Sequence, residues 1–201
     1  LGEPDLVILP GTKNTMGDLR FLRESGLEAK ILRHAAAGKP VIGICGGYQM
    51  LGETLSDPDG VEYGGEMAGL GLLPVSTVFA GKKTRTRVNG TLPQLGGIFS
   101  SLSGQPYEGY EIHMGVTGAD GIVTGRGNVY GTYLHGFFDR EEVTKAVAGA
   151  LFRQKGLDPD AVRAFDIAAY KEEQYDKLAA AVRSALDMEA VYQIINQGVA
   201  L

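Results

Sequence analysis

The chain's one cysteine, Cys45, stands inside Val41-Ile-Gly-Ile-Cys-Gly-Gly-Tyr-Gln-Met-Leu-Gly52. Val41, Ile42, Gly43 and Ile44 run straight into it, and Gly46 and Gly47 follow. A helix-like run from Tyr48 to Leu55 comes next. The pattern implies a buried strand, a tight turn and a helix, with the thiol at the turn. In such a nucleophile elbow the backbone is strained, and a Cβ on either side would clash. The helix start offers unpaired N–H groups and the positive end of a dipole, both expected to lower a thiol's pKa. The chemistry implied is attack by a thiolate. A merely structural cysteine is the competing reading, but a Gly-x-Cys-x-Gly frame is more than packing requires.

A nucleophilic thiol needs a base, and the chain holds three histidines. His34 falls near the C-terminal end of a helical run, where a cation suits the dipole, and a surface role is expected. His113 lies in Tyr110-Glu-Ile-His-Met114, where strand alternation puts Glu111 and His113 on one face and Tyr110 and Ile112 on the other. His135 ends the strand-like run Asn128 to Leu134 and precedes Gly136. That position suits a base for Cys45 best, with His113 the second candidate.

The surrounding elements give these residues their place. Asp5 to Leu9 reads as a buried strand closed by Pro10-Gly11. Met16 to Glu24 and Leu27 to Ala37 read as helices, the second stopped by Gly38-Lys39-Pro40. Val41 to Ile44 is the next strand. This β-α-β-α order implies an α/β fold with a doubly wound, mostly parallel sheet flanked by helices. Sites in such sheets lie at the carboxyl ends of the strands, where the Pro10-Gly11 turn and Cys45 both fall. From Gly60 to Gly131 short β-like runs and many glycines indicate a mixed or antiparallel extension. The runs are Gly69 to Phe79, Thr84 to Val88, Tyr107 to Met114 and Asn128 to Leu134. Glu141 to Lys155 is an amphipathic helix, and Asp176 to Asn196 is one or two more.

Composition narrows the partners. With 19 Lys+Arg against 24 Asp+Glu the net charge is −5, and no basic run occurs, which argues against nucleic acid. A single cysteine excludes an internal disulfide framework and a multi-cysteine metal site, so no metal is expected and a reducing, cytoplasmic compartment fits. No apolar run reaches membrane-spanning length, and no signal peptide precedes the first strand. The chain opens on Leu1-Gly-Glu-Pro-Asp5 without an initiator methionine, as a piece of a longer polypeptide would.

Four segments together carry a family resemblance: Asp5-Leu-Val-Ile-Leu-Pro-Gly-Thr-Lys-Asn-Thr15, Gly43 to Gly52, Glu108-Gly-Tyr-Glu-Ile-His-Met-Gly115 and Gly131-Thr-Tyr-Leu-His-Gly-Phe-Phe138. In this order they resemble the cobyrinate-type branch of the class I glutamine amidotransferases, and within it the cobyric acid synthase family. The likeness covers roughly Asp5 to Asp139; the stretch from Asp158 matches only loosely. It implies a flavodoxin-like glutaminase domain over residues 1–157, with 158–201 a helical C-terminal tail packed on the same domain.

The resemblance also implies a function. Enzymes of this family join an amino-terminal ATP-dependent amidating domain to a carboxy-terminal glutaminase domain, and they amidate four carboxylates of adenosylcobyrinic acid a,c-diamide in cobalamin biosynthesis. This chain resembles the second domain alone. Its substrate would be glutamine, and the corrinoid would be met through the amidating domain. No Gly-x-x-x-x-Gly-Lys-Ser/Thr loop occurs, so no cofactor is expected here; ATP and Mg would belong to the absent domain. Cys45 would form a glutamyl thioester with His135 as base. Gly46 and the Pro10-Gly11-Thr12 turn would supply oxyanion donors, and Gln49 would sit near the substrate. The wider class carries a carboxylate two residues after the histidine; here that residue is Phe137, so Glu111 or Asp139 remains the nearest substitute. Other readings are cobyrinic acid a,c-diamide synthase, a lipid II-amidating glutaminase, a peptidase-like cysteine hydrolase and a non-catalytic module.

Overall fold

The computed structural model describes residues 1–118, 121–163 and 166–198. These divide into two compact units, within Leu1–Ala164 and Phe165–Leu201. The first opens with β1 (Val7–Leu9), α1 (Thr15–Glu24), α2 (Leu27–Ala36), β2 (Val41–Ile44) and α3 (Gly46–Leu51). Then come β3 (Thr54–Asp57), β4 (Gly65–Ala68), β5 (Ser76–Thr91) and β6 (Pro106–Thr117). It closes with β7 (Val123–Arg126), β8 (Val129–Thr132) and α4 (Glu141–Gln154).

The strands form two sheets. The first has the order β1-β2-β8-β7, in which β1, β2 and β8 run parallel and β7 is antiparallel to β8. Both faces of β2 are covered, as parallel sheets require. Val41 faces a core with Val7, Leu9, Met16, Leu19 and Ile31, beneath α1 and α2. Ile42 faces a second core with Leu95, Phe99, Tyr130, Val143 and Val147, beneath α4. The antiparallel extension is a sheet of its own, in the order β4-β3-β5-β6. Its longest pairing runs from Thr77↔Thr117 to Thr91↔Pro106, with an irregularity between Phe79 and Thr84.

Two expectations are corrected. The run Tyr48 to Leu55 is not one helix. Gly52 is extended (φ −68°, ψ −177°), Glu53 N–H donates to the Val75 carbonyl at 2.7 Å, and Thr54–Asp57 becomes β3. Thr54-Leu-Ser-Asp57 alternates as a half-buried strand should, and pairing with β4 and β5 overrides helical pattern. His34 is not a surface residue: it is buried, and its Nε2 lies 3.0 Å from the Pro40 carbonyl oxygen. It thereby ties the end of α2 to the chain entering β2.

The second unit consists of α5 (Ile167–Ala185) and α6 (Met188–Gln197). Asp166 caps α5 by accepting from Ala169 N–H at 2.9 Å, and Asp187 caps α6 by accepting from Ala190 N–H at 3.1 Å. Residues 164–165 and 199–201 of the expected tail lie outside the described residues.

Candidate active site

Cys45 sits between the end of β2 and the start of α3 with φ 53° and ψ −112°, the one non-glycine residue of positive φ among the described residues. Such strain costs on the order of 1–3 kcal/mol and persists only where the surroundings over-determine it. Here Cys45 N–H donates to the Thr132 carbonyl at 2.8 Å, fixing the elbow to the end of β8. A Cβ on Gly46 would run into Thr12 Cγ2 and stand 3.1 Å from Thr12 N, so only glycine lets the Pro10-Gly11-Thr12 turn lie this close. The turn and the elbow are one packed unit.

His135 arrives from the opposite side. Past β8, Leu134 is fully buried, and His135 forms an antiparallel bridge with Tyr110 of β6. Its N–H donates to the Tyr110 carbonyl at 2.8 Å, and Tyr110 N–H donates back at 3.2 Å. Gly109 makes this approach feasible, because a Cβ there would land on the His135 carbonyl oxygen. The distance from Gly11 measures how the site closes. A Cβ built on Gly11 would stand 3.2 Å from His135 Cε1 and 3.5 Å from Cys45 Cβ. The loop after β1, the elbow after β2 and the histidine after β8 therefore meet at one point, at the carboxyl ends of three parallel strands.

One backbone carbonyl serves both reactive groups. The Cys45 thiol donates to the Ile112 carbonyl at 3.4 Å, and the same carbonyl accepts from the imidazole of His135. His135 Nε2 is buried with no hydrogen-bond partner. Burial, with the nearby charge of His113, holds the His135 pKa below its ordinary value against the Ile112 contact. Burial and the charge of Glu62 push the Cys45 thiol up, although the Gly46 N–H bonds the sulfur and pulls it down. The expectation of a lowered thiol pKa is therefore corrected: desolvation outweighs the helix start, which belongs to a helix of only 6 residues. The resting pair is a neutral thiol beside a neutral imidazole.

A cavity of about 680 Å³ opens over this pair, lined by Gly11, Thr12, Cys45, Gln49 and His135 and by the charged side chains of Lys13, Glu62 and Lys83. Gln49 is buried, accepts from Thr15 Oγ1 at 2.9 Å and donates to Tyr133 Oη at 3.0 Å, so its amide is fixed in the wall. Tyr133 is pushed by burial up to about 12. His113 is held elsewhere: its ring stacks on Tyr133 at 3.7 Å and its Nδ1 lies 2.7 Å from the Gly115 carbonyl. The structure thus gathers Gly11, Cys45, Gly46, Gln49 and His135, and leaves His113 outside the cavity. Among the described residues no group of three or more His, Cys, Asp or Glu gathers as metal ligands do, and no helix is long and apolar enough to cross a membrane.

Glu62 was not foreseen from sequence. Its carboxylate accepts from Thr15 N–H at 2.7 Å, capping α1 at the cavity wall, and burial raises its pKa. The loop that carries it is wound on Asp57. That buried carboxylate accepts four backbone N–H groups, from Val61, Glu62, Tyr63 and Gly64, each at 2.8 Å. Burial alone would raise the Asp57 pKa, but the four donors hold it at about 2. The one sequence cue was the turn signal Asp57-Pro-Asp-Gly60.

Comparison with known proteins shows the family. Residues 1–143 match the CobB/CobQ-like glutamine amidotransferase domain. A cobyric acid synthase of Ruminiclostridium cellulolyticum is 52% identical over 99% of this chain and 43% of its own length. Those of Lachnoclostridium phytofermentans and Photorhabdus laumondii are 51% and 47% identical over 98% of this chain, and 44% and 42% of their own lengths. The chain therefore spans less than half the length of the curated relatives it matches. The alignment with them extends beyond residue 143 into the helical tail.

Proposed function

The chain belongs to the CobB/CobQ-like glutamine amidotransferase family, and from that premise we propose that its cavity hydrolyses the side-chain amide of glutamine through Cys45. The carrying observation is the meeting of a strained cysteine elbow with His135 over one cavity. Cys45 Sγ attacks the amide carbon while His135 Nε2, which has no other partner, takes the thiol proton. Because both groups start neutral, proton transfer accompanies attack rather than preceding it. The Gly46 N–H and the backbone of the Gly11-Thr12 turn steady the oxyanion. His135 returns the proton to the amide nitrogen, the C–N bond breaks and ammonia leaves. Water then attacks the thioester, with His135 again the base, and glutamate departs. Gln49 helps to shape this cavity. A free amino acid is a zwitterion, and the cavity offers a carboxylate, Glu62, and two ammonium groups, Lys13 and Lys83, to receive its two charges.

In this reading the ammonia feeds ATP-dependent amidation of adenosylcobyrinic acid a,c-diamide, as the name of the relatives suggests. The amidating domain, with its ATP, Mg and corrinoid sites, would lie in the part of the full-length protein outside this chain. Use of ATP by that domain would suit a cytoplasmic location. The test uses the full-length protein. Cys45→Ala should abolish glutamine-dependent amidation and leave ammonia-dependent amidation intact. An alanine variant that still consumes glutamine would remove Cys45 from the mechanism.

A further inference from the structure

A histidine that accepts a proton in acyl transfer is ordinarily held by a carboxylate, which fixes its tautomer and steadies the imidazolium. His135 instead turns its imidazole to the Ile112 carbonyl, and its Nε2 has no hydrogen-bond partner. Phe137, two residues on, is buried and packs edge-on to Phe138 at 5.1 Å. Glu111 faces the other side of β6, with its Oε2 3.8 Å from His113 Nε2. What lies against the imidazole is an aromatic ring. Tyr110 and His135 stack with centroids 5.0 Å apart and planes within 2° of parallel. The two backbone hydrogen bonds between the same residues lock both rings onto one frame. Tyr110 is nevertheless 46% exposed, so core burial does not account for so large an aromatic at this place.

From this stacking on a doubly bonded backbone bridge, we propose that Tyr110 is the positioning residue of His135. Its ring holds the imidazole plane while the Ile112 carbonyl fixes the tautomer. When His135 takes up the thiol proton, the ring's negative face lies against the new cation, an interaction that strengthens in the step being catalysed. The role belongs to the π-face and not to the hydroxyl. The proposal rests on the reading of Cys45 and His135 as the hydrolytic pair.

The experiment measures steady-state glutamine hydrolysis by the full-length enzyme for Tyr110→Phe, Tyr110→Leu and Tyr110→Val, beside Cys45→Ala and His135→Ala. Stacking of this kind corresponds to about a tenfold effect. The Leu and Val variants should lose about tenfold in kcat with KM within twofold of wild type, and Phe should restore wild-type kcat. Ammonia-dependent amidation should stay unchanged in all three. A Leu or Val variant with wild-type kcat overturns the proposal, as does a Phe variant as impaired as Leu, or a loss that appears only in KM. Failure of both ringless variants to fold would make the ring structural and overturn it equally. If Cys45→Ala or His135→Ala still hydrolyses glutamine, the underlying reading fails instead, whatever Tyr110 does.

Discussion

Gly46→Ala tests how closely the elbow and the Pro10-Gly11-Thr12 turn are fitted. The new methyl would overlap Thr12 Cγ2 and lie 3.1 Å from Thr12 N and 3.2 Å from Thr15 Oγ1. Carbon pairs rest at about 3.5–4.0 Å, so Thr12 must retreat by about 1 Å. Overpacking of this size costs about 1–3 kcal/mol in stability. Thr12 lines the cavity, so the movement falls on the groups proposed to meet the oxyanion, where a 1 Å displacement costs about 100-fold. We expect Gly46→Ala to lose about 2 kcal/mol in urea unfolding and about 100-fold in kcat/KM for glutamine. Thr12→Ser removes the overlapping methyl while keeping the hydroxyl that accepts from Asn14 N–H at 3.2 Å. Added to Gly46→Ala, it should recover at least half the lost stability and about tenfold in kcat/KM, leaving only two contacts to relax. The double-mutant cycle should show a coupling of about 1 kcal/mol or more. Simple additivity of the two substitutions, or near-normal activity of Gly46→Ala alone, would refute the argument that this contact positions the site.

Three further outcomes follow from the charges. With His135 held below its ordinary pKa and Cys45 above its own, the proposed base catalysis needs neutral His135 and is lost as pH falls through that lowered value. The acid limb of kcat/KM should therefore have its midpoint below about 6.5, and iodoacetamide should alkylate Cys45 slowly at pH 7 and faster only as the solution becomes strongly alkaline; a fast, pH-independent reaction near pH 7 would show an ion pair instead. Asp57→Asn should cost about 3 kcal/mol in unfolding free energy, because Oδ2 alone accepts three N–H groups and an amide NH₂ cannot replace it. Since the folded pKa of about 2 lies below the ordinary 3.8, this contribution is whole above 3.8 and vanishes as pH falls through about 2; a gap between wild type and variant that persists at the lowest pH would disprove the carboxylate's role.

The parts of the site legible in sequence were those written in local pattern. Val41–Ile44 appeared as a strand because four residues covered on both faces read as an apolar run, and the elbow followed from its glycines. His135 was legible as the residue after a strand. What escaped was set by partners distant in sequence. Thr54–Asp57 is a strand only because β4 and β5 flank it. His34 looked exposed because its helix position said nothing of the Pro40 carbonyl that buries it. The thiol's pKa was misjudged because the helix start is a local feature, whereas desolvation comes from the whole fold. Glu62 had only the turn signal before it, since its role rests on the Thr15 N–H of α1, and the Ile112 carbonyl could not be read at all, since the second sheet brings it to Cys45.

The insertion of that second sheet between β2 and β8 also sets a timetable. The parallel register Val41↔Val129 joins residues 88 apart (129 − 41), a closure whose entropic cost is about 4 kcal/mol for a flexible chain. His135 follows Cys45 by 90 residues (135 − 45), which a ribosome needs about 5–20 seconds to add. Through that interval the nascent Cys45 has neither His135 nor the Thr132 carbonyl that holds its strained backbone. The bond from Cys45 N–H that braces the left-handed turn can form only once β8 has docked. On the proposed mechanism an unfinished chain would hydrolyse no glutamine, and ammonia release would begin only with a completed sheet.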